Sequence, residues 1–132
     1  MKKFFAMVLA LVMVLSLVAC GGSDTGSGKS ETETITIAFI GNTTGDYAQY
    51  GIPVRNGVKL YIDQRNADGG INGKQIELRE YDDKGDGVDA VNSFNLAVDK
   101  GITAVIGSVL TGPSISLADA TFEVNMPQIS VT

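Results

Sequence analysis

The chain has 132 residues, 44% hydrophobic and 19% charged, with ten basic and 15 acidic side chains and a formal net charge of −5. That is the length of one ordinary domain and the balance of a folding chain; with no basic run, its charge argues against nucleic acid and anionic lipid as partners. It has no histidine and a single cysteine, which excludes a Ser-His triad, a typical zinc site and a disulfide within one copy.

The first residues read as a targeting signal. Met1-Lys2-Lys3 is a short positive start, and Phe4 to Ala19 is apolar apart from Ser16. The run is shorter than the roughly 20 residues of a membrane-spanning helix and is followed by Gly, Ser and Thr, so it reads as a secretory signal over residues 1–19. Leu17-Val18-Ala19-Cys20 resembles the bacterial lipobox, which implies that Cys20 is acylated and becomes the mature N-terminus; the alternative is an uncleaved signal anchor with a chance cysteine. Loss of Lys2 and Lys3 takes the formal net charge from −5 to −7.

Gly26-Ser27-Gly28-Lys29-Ser30 looks like the end of a phosphate-binding P-loop. The motif requires glycine at position 23, which is Ser23, and a strand before it, where a signal stands. Residues 20–34 therefore read as a lipidated Cys20 and a flexible, polar tether.

The folded part is expected over residues 35–132. Ile35 to Gly41 is β-branched and apolar, a buried strand. A loop follows from Asn42 to about Tyr50. A helix then shows Val54, Val58, Tyr61 and Ile62 on one face, with Pro53 in its first turn and Asp68-Gly69-Gly70 as its stop. Lys74 to Asp83 alternates polar and apolar, a strand near a sheet edge. Asp86 caps a second helix whose inner face is Val88, Val91, Phe94 and Val98. Thr103 to Gly107 is a third strand. Thr111-Gly112-Pro113-Ser114 opens a third helix with Ile115, Ala118 and Phe122 inward, and Gln128 to Thr132 is a fourth strand.

This alternation predicts an α/β fold, a doubly wound parallel sheet with helices on both faces. It is half of such an architecture, so the chain reads as one truncated, Rossmann-like lobe. Ligands of these sheets sit beyond the carboxyl ends of the strands, where strand order reverses. With the first strand central, the loops meeting there are Gly41 to Tyr50 and Gly107 to Ser114. Tyr50, Ser108, Thr111 and Gly112 are the ligand-binding candidates. A helix N-terminus suits a carboxylate or phosphate; equally, Thr111 or Ser114 is only an N-cap. Tyr50 is an apolar wall or an ordinary core residue.

Two other motifs fail. Gly41-Asn42-Thr43-Thr44-Gly45 lacks the dinucleotide-binding spacing. Asp82 to Gly87 looks like a calcium loop, but Lys84 stands at a ligand position and Ser93 where the closing Glu belongs, so a solvated turn and cap is the simpler reading. No metal and no cofactor are expected.

The stretches ITIAFIGNTTGDYAQYG, NGVKLYIDQRNADGGINGKQIELREYDDKGD and AVIGSVLTGPS together resemble the start of the type I periplasmic binding proteins. The nearest group is the branched-chain amino acid (Leu/Ile/Val) receptors of ABC importers. The likeness covers nearly all of 35–132 and implies a first lobe of two. It implies that Thr111 matches the Ser/Thr that binds the ligand carboxylate with nearby backbone N–H groups, and that Tyr50 matches an aromatic near the ligand side chain. Some Gram-negative relatives join two cysteines where Gly85 and Leu110 stand here. The implied role is capture of an amino acid for an ABC transporter permease, without catalysis, by a protein lipid-anchored at the extracellular face of the cell membrane. The alternative is a ligand-sensing domain of the same fold in a signalling protein.

Overall fold

The computed structural model describes residues 34–132; the expected signal at 1–19, the acylation of Cys20 and the tether up to residue 33 lie outside the described residues. The described chain forms β1 (Ile35–Gly41), α1 (Ala48–Ala67), β2 (Ile76–Asp82), α2 (Gly87–Asp99), β3 (Ala104–Gly107), α3 (Thr111–Glu123) and β4 (Gln128–Ile129). The strands make one parallel sheet in the order β2-β1-β3-β4.

β1 is central and covered on both faces, with Ala38, Phe39 and Ile40 fully buried. That is why its sequence is apolar apart from Thr36, whereas β2, at the edge, alternates. The step from β1 to β2 and the steps from β2 to β3 and β4 run in opposite directions. Right-handed crossovers therefore put α1 on one face and α2 and α3 on the other. On the second face Ala38, Ile40 and Val105 of the sheet pack with Ala90, Phe94, Ala97, Ile102 and Leu117. On the first, Val58, Tyr61 and Ile62 of α1 and Ile37, Ile76 and Ile106 of the sheet line one apolar hollow.

The edges of the elements follow local chemistry. β2 begins at Ile76 rather than Lys74, because Ile71 and Lys74 exchange backbone hydrogen bonds of 2.9 and 3.0 Å across a tight turn. Asn72 and Gly73 sit at φ 52° and 80°, the left-handed pair that such a turn favours. Asn66 then covers the outer edge of the strand: its side chain donates to the Ile76 carbonyl at 2.7 Å and accepts from the Ile76 amide at 2.8 Å. β4 pairs over two residues only, shorter than the expected 128–132.

The helix faces differ from expectation. In α2 the buried residues are Ala90, Ser93, Phe94 and Ala97, while Val88 is 70% exposed. Small side chains on that face let the helix come close to the sheet. In α3 the expected Ile115, Ala118 and Phe122 are exposed and Pro113, Ser114, Leu117 and Thr121 are buried. Two of these are polar, and both are satisfied inside: the Ser114 hydroxyl donates to the Ser108 carbonyl (2.9 Å), and the Thr121 hydroxyl lies 3.0 Å from the Ala118 carbonyl and from Gln128 Oε1. In α1, Ile62 is buried but Tyr61 is exposed. The helix starts at Ala48, so Pro53 lies inside it rather than in the first turn.

Candidate functional site

Ile40 of β1 and Gly107 of β3 are register partners, so the two strands end side by side. From there the chain leaves β1 toward α1 on one face and β3 toward α3 on the other. This opens a crevice at the reversal of strand order, where such sheets bind ligands. The site is built from the turn 42–47 with the start of α1, and from the turn 108–110 with the start of α3.

α3 supplies the donors. Its N-cap is Leu110, which has no side-chain cap. Thr111 is therefore the first helical residue and not the cap. The Ser114 amide closes onto the Leu110 carbonyl at 3.0 Å, and Pro113 has no N–H. The Thr111 and Gly112 amides are left pointing out of the helix end with no partner among the described residues. Both residues are exposed, and nothing lies within 4 Å of where a Cβ on Gly112 would stand. Two amides, one hydroxyl and the positive end of a helix dipole therefore stand together at this helix start, the kind of groups that suit a carboxylate or a phosphate.

Tyr50 lies in the first turn of α1 and is 56% exposed, so it is not a core residue in this structure. Tyr47 beside it is similarly open. Ser108 behaves differently from Thr111 and Gly112. It is fully buried, its hydroxyl donates to Asp83 Oδ2, and its carbonyl accepts from Ser114. Its side chain supports the turn from behind. Ser114 is likewise buried and serves the same turn.

Several residues outside the predicted set shape the site. Asn42 is fully buried and donates through Nδ2 to the Tyr47 carbonyl. Gly51 brings α1 against the Asn42 backbone. Asp82 accepts from the Thr43, Thr44 and Lys84 amides at 2.9, 3.3 and 3.0 Å and from the Thr44 hydroxyl. Asp83, fully buried, accepts from the Gly85 amide (2.9 Å) and the Ser108 hydroxyl. A Cβ on Gly85 would stand 3.0 Å from the Leu110 side chain, so the loops after β2 and β3 touch there as well. Asp86 caps α2 as expected, accepting from the Val88 and Asp89 amides. The Asp82 to Gly87 stretch is thus a hydrogen-bonded turn.

The two adjacent carboxylates are shifted in opposite directions. For Asp82, burial pushes the pKa up, but the hydrogen bonds from Thr44, Lys84 and Thr43 outweigh it and hold the group below the ordinary value. For Asp83, burial dominates and raises the pKa against the bonds from Ser108 and Gly85; the charges of Asp82 and Asp89 add to the rise. Asp82 therefore contributes stability above the ordinary carboxylate value that is lost as pH falls through its native value. The contribution of Asp83 is fully present below the ordinary value and is lost as pH rises through its raised one. Asp82→Asn should flatten the acid-side loss of stability, and Asp83→Asn the decline just above the ordinary carboxylate range. Denaturant midpoints of the full-length gene product and both variants, from about pH 3 to about pH 7, measure this. A variant whose profile runs parallel to wild type contradicts its half.

Comparison with known proteins gives a consistent likeness. The profile of a family described as periplasmic binding protein matches residues 34–132. The Leu/Ile/Val-binding protein BraC3 of Rhizobium johnstonii is 36% identical over 98 residues, 74% of this chain and 27% of that protein. The leucine-, isoleucine-, valine-, threonine- and alanine-binding protein of Pseudomonas aeruginosa is 40% identical over 87 residues, 66% of this chain and 23% of that protein. Among solved structures, the branched-chain amino acid transporter substrate binding protein LivJ of Streptococcus pneumoniae, in complex with isoleucine, superposes with a TM-score of 0.71 at 33% identity. That match covers 74% of this chain and 28% of LivJ. The chain thus spans about a quarter of the length of these relatives.

Proposed function

Because this chain belongs to the periplasmic binding protein family, we propose that residues 35–132 form the N-terminal lobe of a solute-binding protein that captures a branched-chain amino acid. In this reading the protein hands leucine, isoleucine or valine to the permease of an ABC importer. Acylated Cys20 and the tether hold it at the extracellular face of the cell membrane. It binds without transforming its ligand and uses no cofactor.

The observation that carries the reading is the cradle at the start of α3. The free Thr111 and Gly112 amides and the Thr111 hydroxyl face open space beside the β1 loop. They match the carboxylate of a free amino acid, and Tyr50, in the first turn of α1 after the β1 loop, offers an exposed ring as apolar surface. The names of the relatives support the choice of amino acid.

Isothermal titration of the full-length gene product with leucine, isoleucine and valine tests it. Saturable binding of at least one is expected; none with any of the three removes the assignment. Thr111→Ala should weaken that binding by about 1–3 kcal/mol, the cost of leaving a charged acceptor one donor short. Wild-type affinity in the variant would take Thr111 out of the site. Mass spectrometry of the mature N-terminus checks the anchor: a diacylglyceryl group on Cys20 is expected, and an uncleaved Ala19–Cys20 bond contradicts it.

A further inference from the structure

We infer that Asp82 and Asp83 are positioning residues for the ligand, each fixing one of the two loops that form the crevice. The inference rests on the reading of the α3 N-terminus as the carboxylate cradle.

Successive side chains of a strand point to opposite faces. Asp82 shares its face with Ile76, which lies on the α1 side, and Asp83 shares its face with Tyr81, which packs into the core under α2 and α3. The β1 loop leads to α1, and the β3 turn leads to α3. One pair of neighbours in the sequence therefore reaches both loops. Asp82 gathers Thr43 and Thr44, just ahead of Tyr47 and Tyr50. Asp83 holds Ser108, whose carbonyl anchors Ser114 in the first turn of α3. Gln128 braces the same turn from β4, donating to the Gly107 carbonyl at 2.7 Å. The carboxylate oxygens are occupied by the chain's own donors, so the two residues act through the loops they hold.

Hydrogen-bond geometry, not charge, is then what the ligand senses, and this separates the variants. In Asp82→Asn the amide oxygen still accepts from the three backbone amides, and its NH₂ donates to the Thr44 hydroxyl. In Asp83→Asn the oxygen accepts from Gly85 and the NH₂ donates to Ser108. Alanine withdraws every one of these bonds.

The experiment uses the full-length gene product. Isoleucine titration, thermal melting and hydrogen exchange are measured for wild type and for the alanine and asparagine variants at each position. Each alanine variant should bind isoleucine about tenfold or more weakly. Exchange should speed up in residues 42–47 for Asp82→Ala and in residues 107–114 for Asp83→Ala. The asparagine variants should restore both readouts to within a few-fold of wild type. Alanine variants that melt lower but bind and exchange as wild type would reduce the pair to plain stability and overturn the inference. Asparagine variants as weak as alanine would mean that the charge itself is sensed, and would also overturn it. If Asp83→Ala does not fold, Ser108→Ala withdraws the same bond with a smaller change. Should wild type not bind isoleucine, the proposed function fails, while the loop-specific exchange pattern still decides whether the pair positions its loops.

Discussion

Gly107→Ala is expected to lower stability by about 4 kcal/mol or more, a size reserved for changes that strain the backbone or core. Gly107 closes β3 at φ 135°, a conformation that residues with a Cβ rarely adopt. A Cβ there would stand 1.9 Å from the Ile40 carbonyl oxygen and 2.9 Å from its carbon. Relief has to come from the backbone, and Ile40 is fully buried in the central strand, held by β2 on one side and β3 on the other. Sheet and crevice floor yield together. Chemical denaturation of the wild-type and variant full-length gene product measures the loss; a difference under about 1 kcal/mol, the ordinary effect of a point substitution, would show that the strand ends are not in this register.

Gly51→Ala comes next and acts on the site more directly. Gly51 lies in the first turns of α1 with an ordinary helical backbone, where alanine alone would favour the helix by about 1 kcal/mol. Contact reverses the sign: a Cβ would stand 2.1 Å from the Asn42 carbonyl oxygen and 2.7 Å from its carbon. The helix start has to lift from the β1 loop, carrying Tyr50 with it and stretching the bond from Asn42 to the Tyr47 carbonyl. A net cost of about 1–3 kcal/mol is expected, as for other overpacked contacts, together with weaker isoleucine binding. The denaturant midpoint and the titration read the two effects. A stabilised variant with full affinity would mean that α1 does not rest on the Asn42 backbone.

Much of this arrangement is legible in the sequence. The apolar run of β1, the alternation of β2 and the spacing of helices between strands predict the parallel sheet, and with β1 central they place the crevice between β1 and β3. The Asp86 cap and the Gly and Pro signals at the helix ends follow from local chemistry. The helix faces do not. Counting apolar residues selects Val88, Ile115 and Phe122, while close packing selects Ala90, Ala97 and Leu117 and admits Ser114 and Thr121 because their hydroxyls find partners inside. Asp82 and Asp83 look like a solvated turn for a related reason. Their partners Thr43 and Ser108 are 39 and 25 residues away, and no local pattern announces them. Thr111 and Gly112 are visible as a helix start, but that their donors stay free depends on the cap being Leu110, whose side chain has no acceptor to offer them.

The most direct test is a crystal structure of the full-length gene product grown with isoleucine. The ligand carboxylate should lie within hydrogen-bond distance, about 3 Å, of the Thr111 and Gly112 amides, with the Tyr50 ring against the ligand. An isoleucine seated elsewhere, with those two amides facing water, would contradict the account.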